Sequence, residues 1–158
     1  SHRNKRVMVV MRALILFCLM VVSLTPVVAL EPEEDITNPA LYMADIFLEK
    51  SEEVKALLQK VSDFASARPE QIGEYPPIVL MFHGPEIRYF QPTFYQQNQK
   101  MVDLAAKLDA LGVIDMRVCQ RASDILRVDT SKMPKFIEIV PDSGPVFQDL
   151  KAQGYTYF

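Results

Sequence analysis

The chain of 158 residues carries 17 basic and 20 acidic side chains, 49% hydrophobic residues, two cysteines and no tryptophan, a composition that suits one domain of ordinary size. The first 29 residues hold four of the basic residues and no acidic ones, so the remainder carries 13 basic and 20 acidic side chains, a net charge of −7. An acidic domain repels phosphate backbones, which argues against a nucleic-acid partner.

The N-terminal segment, residues 1–30, is the most apolar part of the chain. Residues 13–30 contain no charged side chain, and at about 1.5 Å per residue a helix of this length nearly matches a hydrocarbon core of about 30 Å. The segment is predicted to be either a signal peptide cleaved near Ala29 or a retained hydrophobic helix whose residues 7–29 contact the membrane. In both cases the basic N-terminal flank stays in the cytoplasm, which places residues 31–158 on the exported, periplasmic side.

An acidic spacer and the first elements of the domain follow. Residues 31–40 carry four acidic residues and two prolines, which predicts an extended spacer before a folded domain at residues 41–158. The short apolar run at residues 41–48, with one charge in it, predicts a strand. Ser51 offers a helix N-cap, and apolar residues at helical spacing predict a helix over residues 52–67.

The middle of the domain shows a strand, a helix and a second strand. Residues 78–82 are a continuous apolar run, which is typical of a strand covered on both faces. Thr93 and Gln96 form a capping box for a helix that Gly112 ends. Residues 113–118 then predict the next strand.

The C-terminal part continues the alternation of strands and helices. Residues 123–128 suggest one or two helical turns, and residues 136–140 predict a strand. A helix begins at Ser143 and ends at Gly154, and residues 155–158 form a last short strand. The pattern predicts a doubly wound, three-layer α/β domain with a mostly parallel sheet of about five strands.

Two chemically versatile side chains follow predicted strands. His83 comes directly after the strand at residues 78–82, and Cys119 comes directly after the strand at residues 113–118. Parallel strands would bring both to one edge of the sheet, where ligands of such folds bind. A helix start after Cys119 and the nearby Arg121 favour the reactive thiolate. The alternatives are a buried structural cysteine, a loop histidine satisfied by backbone groups and a solvated surface arginine.

Other catalytic motifs are missing from the sequence. It contains no glycine-rich phosphate loop, no CxxC and no HExxH, and His83 is the only histidine besides His2. With so few histidines and cysteines, the chain lacks the usual ligands of a zinc site and the usual base of a serine triad. We therefore expect neither a metal nor a cofactor.

Several segments occur in the order and spacing of a known family. They are residues 83–85 (HGP) after a strand, the helix at residues 97–111 that begins with QNQK, Gly112 and Val113, Val118 and Cys119, and the closing helix to Gly154 and Tyr155. Over residues 41–158 this arrangement resembles the DsrE/DsrF-like family of small sulfur-relay proteins. The resemblance implies a three-layer α/β domain that assembles into homo-oligomers, and Cys119 stands where members carry a persulfide.

Two functions follow from this resemblance. In the first, an exported or membrane-tethered carrier, not a turnover enzyme, holds sulfane sulfur on Cys119 and exchanges it with a donor or acceptor protein, while His83, Gly84 and Arg121 bind the charged group. The carrier hypothesis expects the Cys119 thiol to be exposed and ionised at the sheet edge. In the second, the domain is a non-catalytic accessory subunit of a membrane complex that uses the same fold for docking, and Cys119 is structural.

Overall fold

The computed structural model describes residues 40–158, so the predicted hydrophobic segment and nearly all of the acidic spacer lie outside the described residues. Among residues 40–158, no helix has the length and apolar character that crossing a membrane requires. The strands are β1 (Tyr42–Ile46), β2 (Ile78–Phe82), β3 (Ile114–Cys119), β4 (Ile137–Val140) and β5 (Thr156–Tyr157), and the helices are α1 (Ser51–Ser66), α2 (Tyr95–Ala110), α3 (Gln120–Leu126) and α4 (Ser143–Ala152).

The five strands form one parallel sheet in the order β4-β3-β2-β1-β5. The α/β prediction is therefore confirmed, and the sheet is parallel throughout. The chain moves in one direction from β1 to β4 and then returns to place β5 on the outer side of β1. Because crossovers between parallel strands are right-handed, this order puts α1, α2 and α3 on one face of the sheet and α4 on the other.

Packing on the two faces confirms the three layers. The larger hydrophobic cluster joins α1 and α2 to strand residues such as Leu80 and Met116. The smaller cluster joins Met43 and Val79 to Leu150 of α4. We call the face that α4 covers the α4 face.

The α4 face is only partly covered, and β3 shows this in its sequence. The three residues of β3 that face the larger cluster are apolar, whereas Asp115 and Arg117 point to the α4 face. The Arg117 guanidinium lies 2.7 Å from an Asp115 carboxylate oxygen and 3.4 Å from a Glu138 carboxylate oxygen. The hydrogen bond with Asp115 is the main cause that raises the pKa of Arg117. Both faces of β2 are thus apolar and buried, whereas the side of β3 on the α4 face carries charged, partly exposed side chains.

Two predicted helix starts differ from the structure. Lys50 is the N-cap of α1, not Ser51, and its backbone N–H donates to the Glu53 carboxylate at 2.9 Å. The capping box expected at Thr93 is absent, because a short 3-10 turn includes this residue and α2 begins only at Tyr95. In both cases the backbone conformation next to the helix, which the residue types alone do not specify, moves the cap by one position.

Replacement of Leu80 by alanine tests the core assignment. Leu80 is fully buried in the central strand β2, so Leu80→Ala should lower the free energy of unfolding by about 2–5 kcal/mol in urea titrations followed by circular dichroism. Ile125→Ala, at an exposed position of α3, is the matched control and should change it by less than about 0.5 kcal/mol. Equal effects of the two substitutions would contradict the assignment.

Candidate functional site

The carboxyl ends of the parallel strands meet at one edge of the sheet, and both predicted side chains lie there. His83 is the first residue after β2, and Cys119 is the last residue of β3. The β2–β3 register pairs Phe82 with Val118, so its continuation by one residue would place the His83 backbone next to Cys119. The two residues are therefore neighbours along the edge.

Asp45, His83 and Cys119 also share the α4 face. Asp45 follows Met43 by two residues, and Met43 packs in the smaller cluster. Cys119 follows Arg117 by two residues, and side chains two apart in a strand point to the same face. The His83 ring joins them because its Nε2 atom contacts the Asp45 carboxylate. Strands β1 and β3 and the residue directly after β2 thus bring a carboxylate, a thiol and an imidazole to one end of the α4 face. We call this end, with Asp45, His83 and Cys119, the corner.

Of the three side chains at the corner, those of Asp45 and His83 are partly exposed to solvent. The Asp45 side chain is 46% exposed and the His83 side chain 28% exposed. The ring of Phe47, a residue that is 62% exposed, lies 5.8 Å from the His83 ring. The sequence signal for Asp45 was the single charge in an otherwise apolar strand. Asp45 lies on β1, where the strand order reverses, and ligands of open α/β sheets bind at such reversals.

Cys119 is buried, so the expectation of an exposed thiol is wrong. The residue is only 3% exposed, and its carbonyl accepts a hydrogen bond from the Ser123 hydroxyl at 2.9 Å as α3 begins. The predicted helical turns start earlier than expected, at Gln120, directly after the strand. Within residues 40–158, no hydrogen bond joins the thiol to His83, whose ring is held toward β1, on the side of β2 opposite to β3.

Gly84 and Glu86 form a clamp between the loops that follow β1 and β2. The fully buried Glu86 carboxylate accepts hydrogen bonds from the Gly84 N–H at 2.9 Å and from the Leu48 N–H at 2.7 Å. A Cβ atom at Gly84 would overlap this carboxylate and lie 3.0 Å from Phe47 Cα. The Gly84 N–H, which we expected to bind a ligand, is thus engaged with Glu86, and the glycine is required for close approach. No sequence pattern points to Glu86 as a buried residue, since acidic side chains usually lie on the surface.

Arg121 connects the loops that follow β3 and β4. Its exposed guanidinium donates to the Asp142 carboxylate at 3.1 Å, and its backbone N–H donates to the Pro141 carbonyl at 3.2 Å. Asp142 is the N-cap of α4. Hydrogen bonds from the Gly144 N–H and from Arg121 lower the pKa of the Asp142 carboxyl. The interaction of Arg121 with a sulfur group on Cys119 stays a prediction, and its observed partner is Asp142.

No cluster of three histidine, cysteine or acidic side chains that could hold a metal ion occurs in the part of the chain that the structure describes.

Comparison with known proteins identifies a fold but no reaction. No family model matches the chain, and the search of curated proteins found no match. Among solved structures, the protein of unknown function MTH1491 from Methanobacterium thermoautotrophicum matches with a TM-score of 0.58 and 11% sequence identity. The match covers 77% of this chain and 98% of that chain. At this identity the likeness shows a common α/β fold alone.

Replacement of Glu86 by glutamine tests the clamp. The amide keeps the shape of the side chain but turns one acceptor oxygen into a donor, which must face a backbone N–H. We expect Glu86→Gln to lower the free energy of unfolding by about 1–3 kcal/mol in urea. The exposed Glu70 provides the control, because Glu70→Gln should change the free energy by less than about 0.5 kcal/mol. Unchanged unfolding of Glu86→Gln would show that the clamp does not hold the loops.

Proposed function

We propose that the domain is a DsrE-like carrier of sulfane sulfur, with Cys119 as the residue that holds the sulfur. The observation that supports the proposal is that Cys119 ends β3 at the carboxyl edge of a parallel sheet, next to the strand that His83 follows, and that His83 contacts Asp45 at the same edge. The order of strands and helices in the three-layer fold supports it as well. The proposed location is the exported side of the membrane, with the protein tethered by residues 7–29 or released after cleavage near Ala29.

The proposed chemistry is a sulfur transfer without any net oxidation. The Cys119 thiol gives up its proton, and the thiolate attacks the outer sulfur of a donor persulfide, R–S–SH. The S–S bond of the donor breaks as a new S–S bond forms, so the donor leaves as the thiolate R–S⁻ and Cys119 becomes Cys–S–SH. An acceptor thiolate removes the sulfur by the same step, and no cofactor takes part.

The burial of Cys119 adds a requirement to this chemistry. Because the residue is 3% exposed, the thiol reacts only after the residues that cover it move. Local opening of this kind occurs in native proteins at loops and sheet edges. A thiol that is covered at rest is also protected from oxidants, which suits a carrier outside the reducing cytosol.

Mass spectrometry of polysulfide-treated protein tests the carrier function. Cys18→Ser removes the other cysteine, and folded protein with this substitution should gain one sulfur atom, about 32 Da. The double variant Cys18→Ser/Cys119→Ser should gain none. As a control that the polysulfide is reactive, the Cys18→Ser protein is also treated after it has been unfolded in urea. Sulfur uptake by the unfolded but not by the folded protein would overturn the proposal.

A second candidate is favoured by the same burial of Cys119. Here the domain is a non-catalytic accessory subunit of a membrane complex, and Cys119 acts as a small apolar residue in the packing below the sheet edge. The partners are then other subunits or further copies of this chain, not a sulfur donor or acceptor.

Purification of the native protein from detergent-solubilised membranes tests this second function. The accessory role predicts co-migration with other subunits in fixed ratio, and Cys119→Ala should leave that assembly unchanged because the thiol has no chemical part in it. Migration as a small oligomer of this chain alone would contradict the accessory role.

A further inference from the structure

We infer that Asp45 is a latch that holds His83 away from Cys119. The inference rests on the proposed function, since it concerns control of the same thiol. Strand β2, which His83 follows, lies between β1 and β3. The Nε2 atom of His83 contacts Asp45 on β1, although the β2–β3 register, which ends at Phe82 and Val118, leads on its other side to Cys119 as the next residue of β3. The imidazole thus has one neighbour that it contacts and one that it does not.

The backbone of His83 is fixed, so only its side chain needs to move. Its N–H donates to the Ile46 carbonyl at 3.2 Å, and the following Gly84 is bound by the Glu86 clamp. Neighbouring parallel strands lie about 4.8 Å apart, a distance that an imidazole spans by rotation of its side-chain torsions. His83 therefore has two positions over one backbone, toward Asp45 or toward Cys119.

The contact with Asp45 is the one that can break easily. Both side chains are partly exposed, at 46% for Asp45 and 28% for His83, and exposed pairs of this kind add little to stability. Cys119, by contrast, is covered. The position toward Asp45 is thus favoured by a weak, water-accessible ion pair beside the Phe47 ring, and a docking partner or a substitution can remove the ion pair.

Release of the ring would change the chemistry of the thiol. A free imidazole nitrogen accepts the proton from Cys119 Sγ, which gives a thiolate and an imidazolium and leaves the oxidation state of sulfur unchanged. While Nε2 is engaged with Asp45, the thiol lacks this base. Asp45 is therefore a positioning residue that acts through His83.

The rate of Cys119 alkylation by iodoacetamide, measured in protein with Cys18→Ser, tests the latch. Asp45→Asn should raise the rate about threefold to fivefold, because the loss of one exposed ion pair shifts the His83 ring by this amount toward its position near Cys119. Asp45→Ser is a second latch-free variant, and Asp45→Glu should restore the slow rate. Asp63→Asn, at an exposed position of α1, is the matched control and should leave the rate unchanged. A lower rate in Asp45→Asn would overturn the inference, because Asp45 would then orient His83 as a base.

A double-mutant cycle shows whether Asp45 acts through His83. In protein that carries His83→Phe, Asp45→Asn should no longer change the alkylation rate. An equal increase with and without His83 would overturn the latch, since Asp45 would then only loosen the fold. Alkylation requires no sulfur chemistry, so the two proposals can fail separately. Faster alkylation without polysulfide uptake refutes the carrier and keeps the latch, whereas uptake with an unchanged alkylation rate refutes the latch alone.

Discussion

The buried Glu86 carboxylate is the interaction on which the geometry of the sheet edge depends. A buried charge without hydrogen bonds would cost several kcal/mol, and here both oxygens accept from backbone N–H groups, those of Leu48 and Gly84. These groups belong to the loops that leave β1 and β2, so one side chain sets the distance between the loops. Phe47 and His83 precede the two donors directly, and their positions follow from the clamp.

The strand order explains why polar groups collect on one face. Three helices follow the first three strands on the same side, and α4 alone crosses the other side among the described residues. That single helix covers the apolar residues of β1 and β2 but leaves room for the Asp115–Arg117 pair and for Asp45. The incomplete cover lets a parallel sheet present the charged Asp45 side chain beside His83 at its carboxyl edge.

The sequence predicted what depends on local patterns and missed what depends on distant contacts. The continuous apolar run of β2 and the helical spacing of α1 are visible within a few residues, and both elements lie where expected. The role of Glu86 depends on a partner 38 residues away, Leu48, which no local pattern shows. Likewise, the end of a strand predicts the edge on which Cys119 lies, but not its burial, which depends on how the neighbouring elements pack around it.

The pairing of β5 with β1 has a consequence for synthesis of the chain. Tyr42 and Thr156 are partners in adjacent strands, although 113 residues separate them in the sequence. The outer backbone groups of β1 therefore have no strand partner until the ribosome has released the chain as far as Tyr157. The four strands made earlier can assemble around β2 before β5 has been synthesised, and β5 then completes the sheet.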